Sequence, residues 1–172
     1  MAFTQFQLKQ IAPTASNISL LLPLINSAMD KYSIDTKLRQ SHFIAQILHE
    51  SGALRYTEEI ASGEAYENRL DLGNRVKGDG KKFKGRGLIQ LTGRANYAAY
   101  GKYLGVDLES NPVLVATDYV ADVAGWFWKK RNLNYYADFD DLKAVTKRIN
   151  GGYNGLQDRQ QYLNKAKSVL MI

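Results

Sequence analysis

HFIAQILHESGALRYTEE, residues His42 to Glu59, is the stretch on which the reading of this chain turns. Its first half is spaced as a helix. Leu38, Ile44, Ile47 and Leu48 supply a core face, Asp35 or Thr36 can cap the start, and Gly52 is a natural stop near Ser51. Its second half delivers another acidic pair, Glu58 and Glu59. On one unbroken helix Glu59 would lie about 13.5 Å along the axis from Glu50 and on the opposite face. The two carboxyls can share a groove only if the chain stops and reverses at Ser51-Gly52.

Outward from this stretch the pattern stays helical. Phe3–Ile11 reads as a short helix before Pro13, and Ile18–Tyr32 as a second, with Pro23 expected in its first turn or at a new start. From Arg55 to Gly87 the pattern is irregular and glycine-punctuated, as in a functional or mobile loop. Leu88–Leu91 suggests a small strand or extended segment. Thr92 is a candidate cap for a helix to Leu104, ended by Gly105. Thr117 or Asp118 opens a helix running to about Asn132, Asp140 or Asp141 one running to Ile149, and Leu156–Leu170 closes the chain. The expected fold is mainly α with very little β. It is a single domain over 172 residues, with N-terminal helices in residues 1–35 and two lobes around a cleft in residues 36–172.

Composition narrows the chemistry. With no cysteine, disulfides and thiolate metal sites are excluded. The net charge of +6 favours anionic partners. Much of it falls in the loop of residues 75–86, a candidate contact for an anionic envelope surface. No reading motif for nucleic acid is present. The N-terminus lacks the pattern of a signal peptide, and Ile18–Ile25 is too short to span a bilayer.

Three motif matches fail. HESGA lacks the second histidine of HExxH, since position 53 is Ala53, and His42 lies about two turns, roughly 10 Å, from His49. No metal is expected. GDGKKFKGRG lacks the Ser or Thr of a phosphate loop, and no GxSxG elbow occurs. A carboxylate pair remains. Glu50 falls at the edge of the apolar sector beside Phe43 and Ile47, where lost solvation favours the protonated form a general acid needs. The second carboxylate is open among Glu58, Glu59 and Glu64. A separation of roughly 6.5–9.5 Å would suit inverting glycoside hydrolysis.

HESG (residues 49–52), YENR (66–69), LGN (72–74), GDGKKFKGRGLIQLTGRANYAAYG (78–101), NPVLVATD (111–118), WFW (126–128) and INGG (149–152) together resemble glycoside hydrolase family 19. The bacteriophage endolysin branch is nearer than the plant chitinases. The resemblance runs from about Leu38 to the C-terminus, and GRGLIQLTGRANY is its most specific block. It implies a lysozyme-like, chitinase-like fold, with Glu50 as general acid, Glu59 as general base and Thr92 holding the attacking water. Gln90, Asn96, Tyr97 and Asn150 match substrate-contact positions, Arg159 matches an arginine of the acidic network, and His49, Tyr66 and Arg86 complete the candidate set. The implied substrate is bacterial peptidoglycan, with N-acetylglucosamine polymers, as for a chitinase, the alternative; the expected enzyme is a monomer that uses no cofactor. The enzyme would wait in the host cytoplasm and reach the periplasmic wall through a holin-type export partner. The chain departs from plant members in lacking their cysteines and much of their loop length.

Overall fold

The computed structural model describes residues 2–172. Three helices come first: α1 (Gln5–Ile11), α2 (Ile18–Lys31) and α3 (Lys37–Glu50). Two 3-10 turns follow (Glu64–Tyr66 and Leu70–Leu72), then α4 (Asp79–Lys82), α5 (Arg94–Leu104) and a third 3-10 turn (Pro112–Val115). The second half is α6 (Asp122–Lys130), α7 (Leu133–Asp138), α8 (Leu142–Asn150) and α9 (Leu156–Leu170). Pairing of β type among the described residues is confined to two isolated bridges, Glu58 with Arg86 and Arg86 with Leu91.

α3 is the axis of the fold. Every residue from Gln40 to Leu48 is buried, so the helix is enclosed on all sides rather than presenting one face. It lies along α9. Phe43 meets the Trp128 ring edge-on at 5.3 Å, tying it to α6. Thr36 caps its N-terminus, accepting a hydrogen bond from the Arg39 N–H.

The helix ends where the sequence required. After Ser51, three consecutive residues (Gly52, Ala53 and Leu54) have φ of +57°, +59° and +62°. A left-handed turn costs roughly 1–2 kcal/mol for each residue bearing a Cβ, so Ala53 and Leu54 must be held there by their surroundings. The buried Ser51 hydroxyl donates to the Ile47 carbonyl at 2.6 Å and accepts from the Leu54 N–H at 2.9 Å. The Ala53 carbonyl takes the Ser16 N–H, and the Leu54 carbonyl takes the Asn17 amide. Leu54 itself is fully buried. The linker before α2 thus clamps the reversal after α3.

Five local expectations are corrected. Neither Thr117 nor Asp118 opens α6, which starts at Asp122 after a turn over residues 116–121. Pro23 sits at the sixth residue of α2, inside the helix; the carbonyl it leaves unpaired belongs to exposed Ser19, where water can serve it. Residues 87–90 form a tight turn and Leu91 makes only an isolated bridge with Arg86, instead of a strand over 88–91, with Gln90 at φ +54°. Thr92 does not cap α5; Gly93 occupies that place, and the Thr92 hydroxyl donates back to the Gln90 carbonyl. The six residues of α7 escaped notice because fewer than two turns carry no readable period.

The loop from Arg55 to Gly87 is held by side chains in place of regular pairing. Buried Asn74 donates to the Tyr66 carbonyl and accepts the Arg94 N–H, both at 2.8 Å. Glu67 takes the N–H groups of Gly78 and Gly80. Asp79, 1% exposed, accepts the Arg75 and Val76 N–H groups and both prongs of the Arg94 guanidinium. This network makes the irregular segment a wall.

Candidate active site

A groove of about 440 Å³ runs between that wall and the ends of α6 and α8. One side is Tyr66, Arg69, Asp71 and Leu72 with residues 89–92 and Asn96; the other is Phe127, Arg131 and Lys147–Gly151. A more apolar depression of about 500 Å³ lies among Leu20, Leu21, Leu24 and Val120, with Asp118 as its one ionisable group. The polar groove carries the more ionisable lining, Arg69, Asp71, Arg131, Lys147 and Arg148; Glu50 and Glu59 are not among its lining residues.

Of the sequence-derived candidates, Tyr66, Gln90, Thr92, Asn96 and Asn150 line the groove. Asn96 donates to the Thr92 carbonyl at 2.8 Å, and the Gln90 amide donates to the Gly87 carbonyl at 3.0 Å. The positive φ of Gln90 is strain of the kind that collects at functional sites.

Glu59 joins this wall. Its backbone N–H donates to the Gly85 carbonyl, its Oε1 accepts the Tyr66 hydroxyl at 3.0 Å, and its Oε2 accepts the Gly85 N–H at 3.1 Å. Gly85 is needed for close approach: a Cβ there would lie 2.8 Å from Gln90 Oε1 and 3.2 Å from Glu59 Oε2. Burial pushes the Tyr66 hydroxyl's pKa up, and its hydrogen bond to Glu59 raises it further, so the phenol stays a donor.

The neighbouring carboxylates have other partners. Glu58 is paired with Lys84 at 2.9 Å and Arg86 at 3.0 Å. Burial alone would raise its pKa, but the hydrogen bonds from these two cations outweigh burial and hold it below the usual carboxylate range. Glu64 is exposed and pairs with Lys81 at 2.7 Å. No ion pair to the Glu59 carboxylate exists among the described residues, and its hydrogen-bond donors there are neutral.

Glu50 terminates α3, across the left-handed turn from Glu59. The expectation of a carboxyl left among apolar side chains is corrected: fully buried Arg159 donates to Glu50 Oε1 at 2.5 Å, to Gln46 Oε1, and to the Asn154 carbonyl at 3.2 Å. Gln46 in turn reaches Thr146 of α8. Glu50 Oε2 has no hydrogen-bond partner among the described residues.

Other candidates lie behind the groove surface. Tyr97 is completely buried, its hydroxyl donating to the Lys84 carbonyl at 2.7 Å, so direct substrate contact is corrected to support of the wall. Arg86 is 5% exposed and bonded to Glu58, the Lys82 carbonyl and Tyr97. Arg159 reaches the site only through Glu50. His49 bonds Asp158 at 2.7 Å and packs on Gly155, where a Cβ would fall 2.1 Å from the ring; it is docked on the start of α9 outside the groove lining. His42, the other histidine, is buried against Asp140.

Arg69, Arg131, Lys147 and Arg148 were missed as groove residues. The basic ends of α6 and α8 read as ordinary partners of the helix dipole, and nothing local indicates that both ends meet at one groove.

A helical domain in which two carboxyls, held on separate segments by a fixed reversal, accompany a polar groove has the architecture of a lysozyme-like glycoside hydrolase. Comparison with known proteins agrees. The family model described as chitinase class I, glycosyl hydrolase family 19, matches residues 42–140, more than half of the chain. A glycosyl hydrolase family 19 domain-containing protein of Haemophilus influenzae is 35% identical over 166 residues, covering 78% of this chain and 82% of that protein. An endochitinase of Arabidopsis thaliana, At2g43620, is 42% identical over 112 residues, 63% of this chain but only 38% of the plant protein. Chitinase C from Streptomyces griseus has the same fold, with a TM-score of 0.81 at 22% identity over 98% of this chain and 92% of that one. The chain belongs to glycoside hydrolase family 19 and is a chitinase-like glycoside hydrolase.

Proposed function

We propose that this enzyme is an endolysin that cleaves β-1,4 bonds between amino sugars of bacterial peptidoglycan by an inverting acid–base mechanism. The reading rests on one observation: the two carboxyls stand on segments fixed by the reversal at Gly52–Leu54 and have dissimilar neighbours. Glu50, oriented by Arg159 through one oxygen, donates a proton from the other to the leaving oxygen. Glu59, held by the Tyr66 hydroxyl and the Gly85 N–H, keeps lone pairs for a water attacking from the opposite face of the sugar. Thr92, beside Gln90 and Asn96, helps to position that water. No step draws on a cofactor.

The net charge of +6 supports an anionic wall as substrate, although Lys81, Lys84 and Arg86 of the 75–86 loop are spent on Glu64 and Glu58. The enzyme would act as a monomer on the periplasmic wall, released from the host cytoplasm by a holin-type partner. Digestion of purified peptidoglycan followed by mass spectrometry of the fragments names the bond from the reducing-end sugar. Glu50→Gln should abolish release while leaving the circular dichroism spectrum unchanged. Near-full activity in that folded variant would overturn the mechanism. Activity on chitin oligomers alone would favour the chitinase reading, which the endochitinase relatives support.

A further inference from the structure

The α6–α8 side of the groove carries three cations, Arg131, Lys147 and Arg148, and none of them is paired with a carboxylate among the described residues. Their partners are neutral. The Arg148 guanidinium stacks on the Tyr136 ring at 4.1 Å and bonds its hydroxyl, and the Arg131 guanidinium lies over the Phe127 ring at 4.9 Å. Rings beneath both arginines restrict the guanidinium planes without neutralising them, which lowers the ordering cost of binding an anion.

On the facing side, the single acid in the groove lining, Asp71, is already saturated by both prongs of Arg69 at 2.8 and 2.6 Å. The groove therefore holds uncompensated positive charge along one side only. Complementing helix dipoles explains cations at the ends of α6 and α8, but not why no acidic residue answers three of them inside a groove.

We propose that Arg131, Lys147 and Arg148 form a carboxylate-reading wall, so that the groove selects glycan strands bearing acidic substituents over neutral amino-sugar polymers. This rests on the groove being the glycan-strand site. The carboxylate can come from a lactyl ether on the sugar or from a peptide attached to it. Both offer the same planar anion, for which guanidinium groups are the matched donors.

The test uses the full chain carrying Glu50→Gln, so that strands survive the measurement. Binding is titrated with peptide-free peptidoglycan strands bearing lactyl carboxylates, with the same strands after amidation, and with peptide-bearing strands. The carboxylate strands should bind at least tenfold more tightly than the amidated ones at low salt, the gap narrowing as salt rises. Tighter binding of peptide-free strands assigns the lactyl group as the anion, and a preference confined to peptide-bearing strands assigns the peptide. In Arg131→Gln/Lys147→Gln/Arg148→Gln the ratio should fall to near one. The single Lys147→Glu at an exposed position should reduce it several-fold, which serves if the triple variant fails to fold. Binding of the amidated strands as tight as that of both the lactyl-carboxylate and the peptide-bearing strands overturns the proposal, as does a ratio that survives the substitutions. If wild-type enzyme still releases fragments from the wall in that case, the glycan-strand reading stands alone. Absence both of binding and of fragment release removes the two together.

Discussion

The Tyr66 hydroxyl donates a 3.0 Å hydrogen bond to Glu59 Oε1, binding a groove-lining phenol to a carboxylate seven residues earlier. Together with the Gly85 N–H on Oε2, it fixes the carboxylate plane from both sides. As the proposed base, Glu59 has neutral donors and lone pairs to spare, whereas Glu58 is committed to Lys84 and Arg86. Tyr66→Phe should leave the fold intact and lower kcat about tenfold with a smaller change in KM, through loss of positioning. Steady-state kinetics on soluble glycan strands checks this. A larger effect on KM than on kcat would make Tyr66 a substrate-contact residue instead.

The same contrast separates the two adjacent glutamates. Glu59→Gln should remove activity by at least a thousandfold, taking away the base while keeping the amide's size. Glu58→Gln should retain most turnover but unfold at lower denaturant, because it strands Arg86 at 5% exposure. Measuring turnover and urea midpoint on both variants discriminates, and the reverse pattern would transfer the base role to Glu58.

Arg159 links distant parts of the chain, since its contact with Glu50 spans 109 residues. It has no exposed surface, and it satisfies Gln46, Glu50 and the Asn154 carbonyl at once. Arg159→Met leaves those acceptors unsatisfied, at a cost of about 3–5 kcal/mol. Arg159→Lys keeps the charge but not the fork, and should recover stability only in part. Urea unfolding of the two variants tests this. Equal stability of both with the parent would show that the pair contributes nothing net.

What could be read from sequence follows from the range of the interaction. Thr36, Gly105 and Gly151 end or begin helices through contacts within a few residues, and each stands where its type predicts. The reversal after Glu50 was legible because two carboxyls nine residues apart cannot share a groove on one helix. Its left-handed backbone at Ala53 and Leu54 was not, since it depends on Ser16 and Asn17 from another segment. Asn74 and Asp79 read as ordinary turn residues, yet they hold the groove wall through Arg94. The cations of the opposite wall announced only helix ends.

Ser51 is the residue that makes the reversal affordable. Its hydroxyl bridges the Ile47 carbonyl and the Leu54 N–H with no exposure to water. Ser51→Ala strands the buried Leu54 N–H, costing about 1–3 kcal/mol. Activity at low temperature should fall with the loss of fixed geometry between the Glu50 and Glu59 segments. Thermal unfolding read beside kcat tests the link; a stable variant with full activity would show that packing and the Ser16 and Asn17 hydrogen bonds hold Ala53 and Leu54 without Ser51.

Asp79 is the natural probe of acid sensitivity. The Arg94 guanidinium beside it, joined by the Val76 and Arg75 N–H groups, outweighs burial and holds its carboxyl well below the usual carboxylate range. A group whose folded pKa is depressed binds fewer protons in the native state than in the unfolded chain. Its contribution is therefore complete above the unfolded value near 3.8 and is lost as pH falls toward the folded one. Stability of the parent should decline through the region below about pH 4. Asp79→Asn removes this titration and, by breaking a buried pair, should cost about 3 kcal/mol at neutral pH. The gap between parent and variant should shrink as pH is lowered through that window. Urea midpoints at pH 7, 5, 4 and 3 read the curve, and a gap that stays constant across them would mean that Asp79 does not supply the acid limb.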